Sequence, residues 1–281
     1  MLGTATFVRT QMETVLASLE REAGSLVPAG VRQWCEREAA RLAGHFEARR
    51  AGGFVRECHG DLHLDNIVRK GNDAILFDCI EFSEALRWID VASYLAFLMM
   101  ALQAHGRDDL ASALLNGWLQ RTGDFGALPA LRFYLVYRAL VRALVEVLKA
   151  RGSSAADGLA RARDYVACAA RLASAPQPYL LLCHGYSGSG KSVASQALAT
   201  RLCAIRLSSD TERKRAHPFA PPDHHALPAI AYSRKAVDSH YDALLAITRR
   251  VLEAGYPVLV DATFLKQRHR VSFIELACAF D

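Results

Sequence analysis

One stretch narrows the possible folds more than any other: His184-Gly185-Tyr186-Ser187-Gly188-Ser189-Gly190-Lys191-Ser192. The apolar run Tyr179 to Cys183 feeds straight into it. Glycine, four residues, glycine, lysine, serine is the spacing of a loop that wraps phosphate between a strand and a helix. The glycines open backbone conformations that a Cβ forbids. N–H groups along Gly185, Ser187, Gly188, Ser189 and Gly190 can then turn inward onto phosphate oxygens. Lys191 adds a mobile positive charge for the β and γ phosphates, and Ser192 offers a hydroxyl to Mg²⁺. The helix expected from about Gly190 aims its positive dipole end at the same anion. A plain glycine-rich turn is the alternative, and the strand–loop–helix setting argues against it. ATP with Mg²⁺ is the cofactor pair this loop implies.

The rest of the second half alternates strand and helix, the pattern of a parallel α/β sheet. Ala204 to Leu207 predicts a second strand, running into Ser208-Ser209-Asp210. Pro257 to Val260 predicts a third, ending at Asp261. Open parallel sheets bind ligands at the carboxyl ends of their strands. Asp210 is thus placed to position an acceptor hydroxyl, with Arg213 one helical turn on. Capping of a helix by Ser209 or Asp210 is the competing reading. Asp261, an acid at the tip of an apolar strand, is placed to support Mg²⁺. Between these two acids runs a Pro- and His-rich loop, 217–228. Its His217, His224 and His225 lack metal-ligand spacing and read as a substrate-side loop. Three strands are visible and no Arg-bearing lid follows them, so this half reads as an incomplete α/β domain.

The first half has another character. Helical patterns cover Phe7 to Glu22 and Val31 to Arg50, and Phe54 to Cys58 is a short extended lead-in. His59-Gly60-Asp61-Leu62-His63-Leu64-Asp65-Asn66 comes next. A hairpin signal follows: Ile67-Val68, a turn over Lys70 to Asp73, and the run Ala74 to Phe77 ending at Asp78. Asp61, Asn66 and Asp78 repeat the spacing of a phosphoryl-transfer catalytic loop. In such a loop a base is followed by an amide, then by a metal-binding acid at the end of a short strand. Asp61 is the candidate base, and Asn66 and Asp78 are the candidate Mg²⁺ ligands. A polar hairpin rich in turn residues is the alternative. Helical patterns then cover Arg87 to Ala104, Asp108 to Arg121, Leu128 to Arg151 and Ala155 to Ala173. Arg138, Arg142 and Lys149 are expected on a solvated edge. Pro176 and Pro178 mark a border, giving domains 1–175 and 176–281.

His59 to Asn66, Phe77-Asp78-Cys79-Ile80-Glu81-Phe82 and Trp88-Ile89-Asp90-Val91-Ala92 together resemble the aminoglycoside phosphotransferase family. With the phosphate loop downstream, the order is similar to a fused bacterial type, a phosphotransferase-like domain followed by a P-loop kinase-like domain. Asp210 with Arg213, and Asp261-Ala262-Thr263, resemble the small-molecule kinase branch of P-loop proteins, with zeta-toxin-type kinases a related possibility. The resemblance implies a mainly helical, kinase-like large lobe joined to a P-loop α/β domain. It also implies ATP- and Mg²⁺-dependent transfer of phosphate to an alcohol group of a small molecule. Tyr94 and Ala101 stand where acids are usual in that type. Kinase-like phosphotransferases roof their nucleotide with a small lobe carrying a Gly-rich strand turn and a strand lysine. The 60 residues ahead of Asp61 show neither, so the first site is not expected to transfer phosphate by itself.

Composition trims the alternatives. Net charge is +5 over 281 residues, and Lys and Arg are scattered rather than clustered. Nucleic acid is therefore not indicated as a partner. The most apolar segment, Val91 to Leu102, is too short to span a bilayer, so no membrane is implied. Seven cysteines without a C-x-x-C pair fit free thiols in a reducing cytoplasm. The main functional alternative is a nucleotide-binding regulator, or degenerate pseudokinase, without turnover. The pattern names no acceptor and fixes no oligomeric state.

Overall fold

A computed structural model describes residues 2–150, 155–174, 177–217 and 227–280. They fall into two compact units, Met1–Ala111 with Ala127–Ala175, and Ser112–Gly126 with Pro176–Asp281. By packing, the segment 112–126 thus belongs with the C-terminal unit.

The first unit is mainly helical. Helix α1 (Ala5–Ala23) starts at Thr4, whose hydroxyl accepts the Phe7 N–H at 3.1 Å. It buries Met12, Val15, Leu16 and Leu19, one stripe of an amphipathic helix. The helix expected over 31–50 is two, α2 (Ala29–Arg41) and α3 (Ala43–Ala51). They part at Leu42, where φ is −89° and ψ is 1°. Leu42 and Phe46 are each 1% exposed, so burial at the break outweighs the interrupted helical bonds. Strand β1 (Val55–Glu57), the hairpin of β2 (Ile67–Lys70) and β3 (Asp73–Leu76), helix α4 (Glu84–Arg87) and strand β4 (Trp88–Asp90) follow. Strands β1 and β4 pair antiparallel, with Val55 opposite Asp90. The segment from Arg87, expected as one helix, therefore opens as a strand. The helix itself, α5 (Val91–Ala104), begins only after Asp90. Asp90 explains the late start: its Oδ1 accepts the Ala92 N–H at 2.8 Å, an N-cap that fixes where the helix begins.

Helices α7 (Leu128–Lys149) and α8 (Ala155–Ala173) follow in this unit, while α6 (Asp108–Thr122) lies mostly in the segment 112–126 that belongs to the second unit. Helix α7 is the axis of the core and packs on α1, α5 and α8. Leu131, Val136 and Leu140 on it are fully buried, and the Phe133 ring lies 5.4 Å from that of Phe46. Arg138 and Arg142 correct the sequence expectation. Both are buried, at 5% and 6% exposure, while Lys149 stays exposed. The Arg138 guanidinium lies 4.7 Å over the Phe97 ring, and Arg142 sits between Asp65 (3.7 Å) and Glu146 (3.6 Å). An aromatic face and two carboxylates make the buried charges tolerable.

The second unit holds a parallel sheet. Its elements are β5 (Leu180–Cys183), α9 (Lys191–Arg201), β6 (Ile205–Ser208), α10 (Ser209–Arg215), α11 (Arg234–Glu253), β7 (Val258–Asp261) and α12 (Gln267–Cys278). The strand order is β5-β7-β6, and the central strand β7 has all four residues buried, unlike the two edge strands. The Asn116 side chain pairs with edge strand β6 like a short strand. Its amide donates to Ala204 O at 3.0 Å, and its Oδ1 accepts from Arg206 N at 2.7 Å. A mainly helical part is thus followed by a P-loop-type parallel α/β part. Among the described residues, no helix is long and apolar enough to cross a membrane.

Candidate functional site

The sheet register gathers the sequence-predicted residues of the second unit. Cys183 on β5 and Ser208 on β6 both pair with Asp261 on β7. All three strands therefore stop at one edge, and the segments after them emerge side by side. They are the loop 184–190, the start of α10, and Ala262-Thr263. Together they line a cleft of about 720 Å³ that includes Ser187, Gly188, Gly190, Lys191, Ser192, Asp210, Arg213 and Asp261. The carboxyl edge of a parallel sheet is where such a cleft is expected.

Within the loop, Gly188 and Gly190 both have φ of +80°, and a Cβ built on either meets nothing within 4 Å. The conformation requires glycine, and the space around it is open. Two loop amides have backbone partners: Gly185 donates to Thr263 O at 3.2 Å, and Ser189 to Tyr186 O at 3.4 Å. Among the described backbone bonds, none uses the N–H of Ser187, Gly188, Gly190, Lys191 or Ser192. Helix α9 starts right there, with Gly190 as its N-cap. Lys191 Nζ folds back on its own loop, donating to Tyr186 O and, at 3.3 Å, to Ser189 Oγ. Free amides, a helix N-terminus and a lysine within the loop fit a triphosphate tail.

The acids of the cleft differ in their freedom. Asp210 is exposed and pairs with Lys214 at 2.8 Å, one helical turn on. Asp261 is buried and engaged: its Oδ2 accepts from Arg206 Nη2 at 2.5 Å and from Ser195 Oγ at 3.0 Å. Among the described residues, no group of three or more His, Cys, Asp or Glu could hold a metal ion. Mg²⁺ in this cleft would rest chiefly on phosphate oxygens, with the exposed Ser192 hydroxyl as the protein donor.

Two further side chains shape the rim. Ser209 Oγ lies 2.9 Å from His240 Nε2. Burial, then the charges of Arg213 and His217, pushes the His240 imidazole down to about 4 from 6.5, against a smaller upward pull from the Ser209 hydrogen bond. The folded chain thus refuses a proton that the unfolded chain accepts between those two values. The His240 contribution to stability is constant above pH 6.5 and falls as pH drops toward 4. His240→Gln should flatten that part of the pH dependence, measured by urea unfolding at pH 7, 5.5 and 4.5. An unchanged slope would contradict the assignment. Tyr241 Oη, in turn, accepts the N–H of Phe264 at 2.9 Å and lies 3.3 Å from Thr263 Oγ1. It holds Phe264 at a φ of +46° just behind the cleft. Tyr241→Phe orphans that buried N–H and should lower stability by about 1–3 kcal/mol. A loss below the error of a denaturation curve would show that the hydroxyl is not needed there.

Arg213 lines the cleft and also a mainly apolar pocket of about 520 Å³ beside it, which His217 and His240 share. Its guanidinium lies 5.0 Å from the Tyr232 ring centre. His224 and His225, with the rest of 218–226, lie outside the described residues.

In the first unit, Asp61 and Asn66 come together: Asn66 Nδ2 donates to Asp61 O at 2.9 Å and reaches its Oδ2 at 3.4 Å. Burial alone would raise the Asp61 carboxyl. The His63 hydrogen bond and charge, with Arg142 and Arg138 behind them, outweigh it and hold the carboxyl below its usual range. Asp78 follows the hairpin at the end where Ile67 faces Leu76. It is exposed, with a left-handed φ of +58°, a conformation Asp tolerates better than most residues. His59 Nε2 pins the preceding residue by its contact with Phe77 O at 2.8 Å.

Residues 4–134 match the phosphotransferase enzyme family, and residues 180–281 match the AAA domain family. One segment of the chain is thus similar to the phosphotransferase enzyme family, and a later segment is similar to the AAA domain family. Uncharacterized proteins of Mycobacterium bovis and of two Mycobacterium tuberculosis strains are each 32% identical to it over 224 residues. That alignment covers 78% of this chain and 44% of each relative, so the chain spans less than half the length of the curated relatives it matches. No solved structure matches the chain significantly. The two family matches support a function of phosphotransferase or kinase type.

Four residues of the P-loop domain escaped the sequence reading: Ser195, Arg206, His240 and Tyr241. Ser195 could have been noticed, since it lies one helical turn beyond Ser192 at the start of α9. The other three act through partners distant in the chain and carry no local signature.

Proposed function

We propose that the C-terminal cleft binds ATP with Mg²⁺ and transfers its terminal phosphoryl group to an alcohol of a small molecule. One observation carries this reading. A phosphate-type loop with unengaged N–H groups shares a single cleft with Lys191, Ser192 and Asp210. Phosphoryl transfer needs mainly positioning and charge neutralisation, and this set is chemically sufficient for both. Bound ATP would supply the phosphoryl group, with Mg²⁺ shielding its charge. The loop amides from Ser187 to Ser192 would hold the phosphate tail. Lys191 would leave Tyr186 O for the β and γ oxygens, and Ser192 would offer its hydroxyl. Asp210 would orient the acceptor hydroxyl and take its proton, with Arg213 steering the acceptor from the neighbouring pocket. We place this activity in the cytoplasm, on the sequence's seven cysteines without a C-x-x-C pair.

The constellation of Asp61, Asn66 and Asp78 is not assigned the working nucleotide. A second reading, a nucleotide-binding regulator, draws support from the Asp210–Lys214 ion pair, which occupies the acceptor-side acid. Incubation with γ-labelled ATP and a panel of hydroxyl compounds separates the two. Label appearing on an acceptor is the expected result. Tight ATP binding with no transfer to any acceptor would favour the regulator.

A further inference from the structure

Resting on the reading of the cleft as a nucleotide site, we propose that Arg206 is a built-in counter-cation for Asp261, so that ATP binds with little dependence on Mg²⁺. Arg206, Ser195 and Asp261 close a ring. Arg206 Nη2 donates to Asp261 Oδ2 at 2.5 Å, and Arg206 Nε donates to Ser195 Oγ at 2.8 Å. The Ser195 hydroxyl passes its own hydrogen to the same Oδ2 at 3.0 Å. The side chains are 12% and 4% exposed for Arg206 and Asp261, so water screens the pair poorly.

The fold puts Arg206 there. Strand register sets Ser208 beside Asp261, and Arg206, two residues back on β6, shares the face of Ser208. The backbone N–H of Arg206 is fixed by Asn116 Oδ1 at 2.7 Å. Helix α9, packed against β6 and β7, supplies Ser195 to the pair.

The electrostatic consequence is direct. A bare carboxylate on the wall of a phosphate cleft repels the polyphosphate, and a divalent metal between the two relieves that repulsion. Here the opposing charge is tethered to the chain and present at any metal concentration. Asp261 then contributes little to the repulsion of metal-free ATP and little to the attraction of Mg²⁺.

The test is titration of ATP in Mg²⁺ buffer and in EDTA, with wild-type protein, Arg206→Gln, Arg206→Lys and the double variant Arg206→Gln/Asp261→Asn. Wild type and Arg206→Lys should show affinities within about threefold between the two buffers. Arg206→Gln exposes the carboxylate and should bind at least about tenfold more weakly in EDTA than in Mg²⁺. The double variant removes both charges and should return to the wild-type ratio, which also excludes simple misfolding as the cause. Wild-type protein that binds ATP only with Mg²⁺ would overturn the role of Arg206 and leave the nucleotide site standing. Wild-type protein that binds ATP in neither buffer would overturn the nucleotide reading and this proposal together. If Arg206→Gln does not fold, the wild-type and Arg206→Lys ratios still decide.

Discussion

Asp90→Ala lowers the stability of the N-terminal unit by about 4 kcal/mol or more, the sum expected from a broken buried ion pair and a lost helix cap. Two oxygens of Asp90 meet the Arg49 guanidinium side on, at 2.6 Å and 2.8 Å, and both side chains are 4% exposed. Removing the acid strands a buried cation, which is worse than never having the pair. The same carboxylate caps α5 through Ala92, and Tyr134 Oη reaches it at 3.5 Å. A paired replacement that removes both charges tests the cause. Arg49→Met with Asp90→Asn replaces both charges and should recover much of the loss seen in Asp90→Ala. Urea unfolding followed by circular dichroism reads both effects. An Asp90→Ala variant within about 1 kcal/mol of wild type would mean the pair is not stabilising.

Lys191→Ala should weaken ATP binding by about 10- to 100-fold, the worth of one hydrogen bond to a charged group, while leaving the fold intact. Both halves follow from where the ammonium sits. Its partners are Tyr186 O and Ser189 Oγ of its own loop, so no other element depends on it. Binding, by contrast, loses the one loop cation placed for the phosphates. Unfolding curves that overlay those of wild type are therefore part of the expected result.

How far the sequence alone could be read depended on the distance between partners. The phosphate loop was legible because its chemistry is written in nine consecutive residues. The strand ends were legible because an apolar run followed by a single acid marks the edge of a sheet, and register brings Ser208 and Asp261 together there. Asp61 and Asn66 lie five residues apart, and the Asn66 amide reaches both the backbone and the side-chain oxygen of Asp61. Arg206 and Asp261 are 55 residues apart, Arg49 and Asp90 are 41, and Asn116 and Arg206 are 90. No local pattern records such pairs. Arg138 and Arg142 depart from the solvated edge expected of them for another reason. An arginine on an apolar helix usually reaches out to water, and only the tertiary setting of Phe97, Asp65 and Glu146 keeps these two inside. At Leu42 the hydrophobic pattern runs on while the backbone breaks, so periodicity alone could not divide α2 from α3.

Calorimetric titration of ATP into the wild-type protein and into Lys191→Ala, with both melted in parallel, tests the nucleotide site most directly. Saturable binding to wild type, at least about tenfold weaker binding to the variant and matching melting curves are the predicted outcome. Equal affinity in the two proteins would place the nucleotide, and with it the kinase chemistry, somewhere other than the loop between β5 and α9.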